Sequence, residues 1–214
     1  MGRDTDRLIE ALTAELRPVR AMRFGEGVAW VLGALVLTIA LVVWTLGLRD
    51  DVLAGAPAPM FLIANGLFLL LGMAAATSVV VMGSPQVGNR YDGWKWALAM
   101  TGLLPLAALV TASASWADHP DIYQHAHDPY CIVAAVVFGA LTAVALVLWL
   151  RRGAPASPYR AGLLTGIAAG AIGTFANGLF CPLNGIYHLG FAHSAPVVIC
   201  GLLGRIVVPR LIRW

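Results

Sequence analysis

Six apolar runs, uncharged apart from Arg205, at roughly 27–48, 58–82, 96–114, 130–150, 161–180 and 190–209, dominate the sequence. Each is long enough to cross a hydrocarbon layer of about 30 Å as a helix, the open-chain structure that satisfies its own backbone hydrogen bonds in lipid. In a chain of 214 residues they leave no room for a sizeable soluble domain. A hydrophobic content of 59%, a charged content of 12% and a mean hydropathy of +0.79 argue against a soluble enzyme. The expected fold class is therefore all-α: a polytopic bundle of six transmembrane helices spanning 27–214, preceded by an amphipathic segment over 1–26. The polar first 25 residues lack the short apolar stretch and small-residue site of a cleaved signal, so the first span is expected to act as the insertion signal.

Charge orients the bundle. Thirteen of the fourteen Lys and Arg residues fall before the first span, in the second and fourth loops, or at the end; Arg49 alone falls in the first loop. The positive-inside rule then predicts both termini and loops two and four in the cytoplasm, with loops one, three and five outside. The net charge of +3 does not point to nucleic acid, because the cations flank apolar runs instead of clustering on a folded surface. All seven Trp residues (30, 44, 94, 96, 116, 149 and 214) lie near span ends, where indole favours the headgroup layer.

Within the spans the nearest ionisable exception is Arg205, which can snorkel toward Arg210 and Arg213. Pumps and proton-coupled carriers place charges at the midplane, so this pattern argues against them. A neutral-solute carrier would predict paired broken helices in two repeats, and Pro105 is a single kink candidate. Gly162, Gly166 and Gly170 form a small-residue series suited to close helix packing, within one bundle or in a homodimer. Asn65 and Asn177 read as interhelical hydrogen-bonding groups.

The reactive side chains fall on the outer face. His119, His125 and His127 lie in the third loop, and His188 and His193 in or near the fifth. Cys131 begins the fourth span and Cys181 ends the fifth, whereas Cys200 is expected to be buried in the sixth. Cys131 and Cys181 can approach one another in a compartment where a disulfide persists, if their Cα atoms come within about 7 Å. The stretch His119, His125, His127, Asp128, Cys131 offers imidazole, carboxylate and thiol, which suits a transient soft metal ion without matching a fixed zinc motif.

The N-terminal stretch reads as an amphipathic helix capped by Asp4 or Thr5, with Leu8, Ile9, Leu12, Leu16 and Val19 on one stripe and Pro18 ending it. Arg17, Arg20 and Arg23 then face anionic headgroups of the bilayer. Such a helix either lies on the membrane or presents Leu8, Ile9 and Leu12 to the groove of a soluble partner.

The opening TDRLIEALTAELRPVR and the closing Cys181-Pro182, His193, Pro196 and GLLGRIVVPRLIRW resemble NrsF-type proteins, six-helix anti-sigma factors of the bacterial inner membrane. The resemblance covers the whole length. It implies that the cytoplasmic N-terminus, through Leu8, Ile9, Leu12, Leu16, Pro18, Val19 and Arg20, sequesters an extracytoplasmic-function sigma factor. It also implies that Cys131 and Cys181 sense oxidants or thiol-reactive metals; the expected mechanism is a switch with no catalytic step, and the five outer histidines, His119, His125, His127, His188 and His193, are candidate auxiliary sensing groups or metal ligands. Leu183 after Cys-Pro and Ala192 before His193 depart from the polar and aromatic residues expected there. The alternative is a membrane thiol or haem oxidoreductase, or a metal-binding protein, that uses the same Cys and His residues. A catalytic pair would ordinarily come with a CxxC motif, and a bis-His haem with histidines in facing spans; neither occurs.

Overall fold

The computed structural model describes residues 2–14, 22–84, 95–97, 99, 100, 102 and 128–212, and these are helical apart from short connections. The elements are α1 (Gly2–Ala14), α2 (Phe24–Leu46), α3 (Asp50–Leu53), α4 (Pro59–Gly83), α5 (Asp128–Arg151), α6 (Pro158–Gly178), α7 (Ile186–Phe191) and α8 (Ala195–Leu211). Among the described residues, four stretches are long and apolar enough to cross a membrane: Phe24–Leu46, Pro59–Gly83, Asp128–Arg151 and His188–Leu211. The fifth expected span overlaps α6, which is not among these four. Most of the expected third span, 96–114, lies outside the described residues.

Small residues explain why α6 occupies the centre. Sixteen of its 21 residues are buried, and it packs mainly on α8, α5 and α4. A Cβ on Gly162 would meet the Gly204 carbonyl, one on Gly166 the Cys200 carbonyl and one on Gly170 the Pro196 carbonyl, so α8 runs antiparallel along that face. On another face Gly173 would meet Ala135 and Gly139 of α5 in the same way. Such close approach lets backbones pack by dispersion where lipid removes the hydrophobic drive. The glycine series is thus occupied inside the chain, and α6 offers no free small-residue stripe for a homodimer.

The ends of the bundle differ in chemistry. Gly27 of α2 packs on Val80 and Trp149, and Gly83 on Trp149, so the start of α2 and the ends of α4 and α5 share one end. Arg23, Arg151, Arg152, Arg160, Arg205 and Arg210 are exposed there. The other end holds the start of α5, the end of α6 and the connection between α2 and α4.

Two expectations need correction. Trp44 and Trp96 are largely exposed, as interfacial indoles should be, but Trp149 is fully buried and its Nε1–H donates to the Val80 carbonyl at 3.1 Å. Its position near a span end reflects packing on Gly27 and Gly83, not headgroup contact. Cys200 is only partly buried, and its carbonyl lies against Gly166 of α6.

Candidate functional site

Asp128 and Cys131 lie three residues apart in the first turn of α5, on one helix face. Both are buried. Cys181 follows α6, where the chain keeps one further helical bond, its N–H donating to the Asn177 carbonyl at 3.1 Å. His188 lies on the short α7, and His193 sits just before α8 with its N–H on the His188 carbonyl at 3.3 Å. Two α6 residues fix His193: the Thr174 hydroxyl donates to its carbonyl at 3.0 Å, and the Asn177 amide lies 3.3 Å from Nε2. Asn65 donates to the Phe175 carbonyl at 3.0 Å and covers Gly178, tying α4 to the same end.

These supports bring four side chains together. Cys131 Sγ and Cys181 Sγ are 3.8 Å apart, and Cys181 Sγ is 3.4 Å from His188 Nε2. The ligand atoms of Cys131, Cys181, His188 and His193 all lie within 4.8 Å of one another, and all four residues are buried. The His188 and His193 rings are edge to face at 5.0 Å. Asp128 Oδ1 accepts from His188 Nδ1–H at 2.6 Å, which leaves the Nε2 lone pair directed to the thiols.

Arg49 borders this cluster. Its guanidinium forms a fork to Asp51, Nε to Oδ1 and Nη2 to Oδ2 both at 2.7 Å, and Nη1 donates to the Cys181 carbonyl at 2.9 Å. Nη2 also reaches Asn184 Oδ1 at 3.1 Å, and the plane stacks 4.3 Å over Phe61. The Arg49 N–H donates to the Leu179 carbonyl at 3.0 Å. The hydrogen bonds from Arg49 hold the Asp51 carboxyl at about 2, despite partial desolvation. The one cation of the first loop is thus a clamp between the end of α2 and the Cys181 connection.

The Cys181 thiol is lowered to about 7, first by the hydrogen bond from Cys131, with burial opposing and the Leu183 N–H and Arg49 charge assisting. A thiolate is therefore available near neutral pH. The two sulfurs are in contact without a bond, since a disulfide needs about 2.05 Å. The arrangement suits three chemistries: nucleophilic attack by Cys181, closure of a Cys131–Cys181 disulfide, and capture of a soft cation.

Of the residues expected from the sequence, Cys131, Cys181, His188 and His193 converge, whereas His119, His125 and His127 lie outside the described residues. The four converging side chains come from α5, α7 and the connections after α6 and α7; they share Cys131 with the expected third-loop set, whose Asp128 supports His188. Leu8, Ile9 and Leu12 are exposed on α1, each by more than half; Leu16, Pro18, Val19 and Arg20 lie outside the described residues. Helix α1 starts at Gly2, so Asp4 and Thr5 stand inside it and do not cap it. Arg49 was legible only as the cation breaking the charge alternation, and Asn177 only as a polar residue in an apolar run.

No curated protein and no solved structure matches the chain. The model of the family described as NrsF, negative regulator of sigma F, matches residues 12–214, nearly the whole length. This membrane-apolar chain, helical through its described residues and with two cysteines in contact at the end opposite most of its described cations, belongs to the NrsF family of negative sigma-factor regulators.

Proposed function

We propose that the chain holds an extracytoplasmic-function sigma factor inactive at the bacterial inner membrane and releases it when Cys131 and Cys181 change chemical state. The observation that carries this reading is the 3.8 Å contact between two thiols fifty residues apart in sequence, at the end away from most of the described cations. With both termini cytoplasmic and six spans, that end faces outside, and α1 faces the partner. Leu8, Ile9 and Leu12 then supply an apolar face for a groove of the sigma factor, with Leu16, Pro18, Val19 and Arg20 continuing it.

The chemical step is balanced with hydrogen peroxide as oxidant. The Cys181 thiolate attacks a peroxide oxygen, the O–O bond breaks, and one water leaves after protonation. The Cys131 thiol then displaces the second oxygen as water and closes the disulfide. Joining the sulfurs requires them to close from 3.8 Å to about 2.05 Å. That movement pulls on the Cys181 connection, which Arg49 ties to the end of α2, and α2 leads back to the N-terminal segment. Switching between 99% held and 99% released takes a bias of about 5.5 kcal/mol, within the reach of such a bond.

The Cys181, His188, Asp128 series favours a second reading, a membrane thiol oxidoreductase that turns over. Repeated turnover of a dithiol substrate by the purified protein, without any sigma partner, would favour it.

The test is co-purification of candidate sigma factors with the full chain and with a variant lacking residues 1–20, each with Cys131 and Cys181 intact or changed to Ser. The proposal expects a sigma factor bound to the full chain, lost on truncation, and no longer released by peroxide in the Ser variants. Absence of a sigma factor from every form would overturn it.

A further inference from the structure

The outer cluster has the dimensions of a closed coordination site. Tetrahedral zinc, with metal–sulfur near about 2.3 Å and metal–nitrogen near about 2.0 Å, sets sulfur–sulfur at about 3.8 Å and sulfur–nitrogen at about 3.5 Å. Cys131 Sγ to Cys181 Sγ is 3.8 Å and Cys181 Sγ to His188 Nε2 is 3.4 Å. His193 completes a set of four whose ligand atoms all lie within 4.8 Å.

Buried groups around the cluster fit the same conclusion. Asp128 fixes His188 with the Nε2 lone pair inward, the carboxylate, histidine, metal arrangement that orients many ligating imidazoles. His193 is 2% exposed, and its Nδ1 has no hydrogen-bond partner among the described residues, while Asn177 engages Nε2. A buried ring nitrogen without a partner is costly, and a metal bond satisfies it. Two thiolates neutralise a divalent ion, so the filled site adds no net charge to a low-dielectric region.

We infer that Cys131, Cys181, His188 and His193 form a tetrahedral binding site for one soft divalent cation of the zinc or cadmium class, with Asp128 and Asn177 as positioning residues. The inference rests on the proposed sensing role of the two cysteines and extends it to both histidines. Binding displaces the two thiol protons and forms two metal–sulfur and two metal–nitrogen bonds, with no oxidant. Disulfide formation removes two of the four ligands, so peroxide and cation compete for the same sulfurs.

The test is titration of the full-length protein, reduced and in detergent, with Co²⁺ followed by Cd²⁺. The expected result is one ion per chain, tetrahedral cobalt bands with thiolate charge transfer, and displacement by Cd²⁺. His193→Gln should weaken binding at least tenfold and change the cobalt bands toward fewer nitrogen ligands. Asp128→Asn should weaken it about 10-fold to 100-fold with the ligand set unchanged. Helix content and monodispersity of each variant identify any that fail to fold, and prior peroxide treatment of the native chain, which should abolish binding, needs no variant. The absence of saturable binding by the folded native chain would overturn the site, as would binding that is indifferent to His193→Gln. Sigma-factor retention is read separately: release by peroxide without cobalt binding sinks the metal site alone, and cobalt binding without any sigma partner sinks the regulatory reading alone.

Discussion

Helices α6 and α2 are of similar length and differ in nearly every way that matters for a switch. In α6, sixteen of 21 residues are buried, and its glycines meet the backbones of α5 and α8. In α2, five of 23 are buried, at Gly27, Val31, Ala34, Thr38 and Val42, a single face at three- and four-residue spacing. The first is a fixed axis. The second is held at its ends, by the Arg49 clamp at one and the Arg152–Glu26 pair, 2.7 Å, at the other. Packed cores resist continuous deformation, so a movement started at Cys181 is more readily taken up by α2 than by α6.

The largest expected effect breaks the axis. Gly173→Leu would push a side chain into Gly139 N, which lies 2.7 Å from a Cβ there, and into the Ala135 backbone. It should cost about 3 kcal/mol, at the upper end for overpacking, and be seen as loss of monodisperse protein in detergent. Gly33→Leu on α2 meets nothing within 4 Å and should change the denaturation midpoint negligibly, within about 0.5 kcal/mol. Equal damage from both would erase the distinction between the helices.

Next comes the clamp. Arg49→Ala removes the donor to the Cys181 carbonyl, for about 1–2 kcal/mol, and should release peroxide sensing from sigma-factor release while leaving disulfide formation intact. Its acid profile gives a second check. Asp51 is lowered from 3.8 to about 2, so its pairing contributes in full above about pH 4 and is lost as the pH falls toward 2. In the Ala variant the Asp51 titration, followed by NMR, should return toward 3.8.

The Cys181 thiol supplies a kinetic prediction. With its value near 7, alkylation of Cys181 in Cys131-intact protein should rise with pH through a midpoint near 7, and fall below it as the thiolate is protonated. Cys131→Ala removes the hydrogen bond that lowers it most, so the midpoint should move up. The smallest effect belongs to the other end of α2. Arg152→Ala breaks a partly exposed ion pair and stacking over Trp149 and Trp30, and should cost no more than about 1 kcal/mol by denaturation.

Hydropathy and the charge alternation made the membrane-apolar helices legible, because lipid imposes the same demand on every segment. The cysteines and the two later histidines stood out as the reactive groups of one face. Their convergence did not, since it depends on α6 and α5 closing to glycine contact and on one further turn beyond Gly178. Asp128 was grouped with His125 and His127 because they are near in sequence, yet its partner is His188, sixty residues away. Trp149 shows the same limit: a position near a span end cannot distinguish an interfacial indole from one seated on two glycines. Arg49 was hidden because a lone cation carries no periodic signal.

The central claim is that chemistry at Cys131 and Cys181 governs what happens at the cationic end. Membrane vesicles carrying the full chain with bound sigma factor, exposed to peroxide or Cd²⁺ from the side of the cysteines, test it most directly by measuring released sigma factor. The account predicts release from the native chain and retention by the Cys131→Ser, Cys181→Ser double variant. Equal release from both, or release from neither while the native disulfide forms, would contradict it.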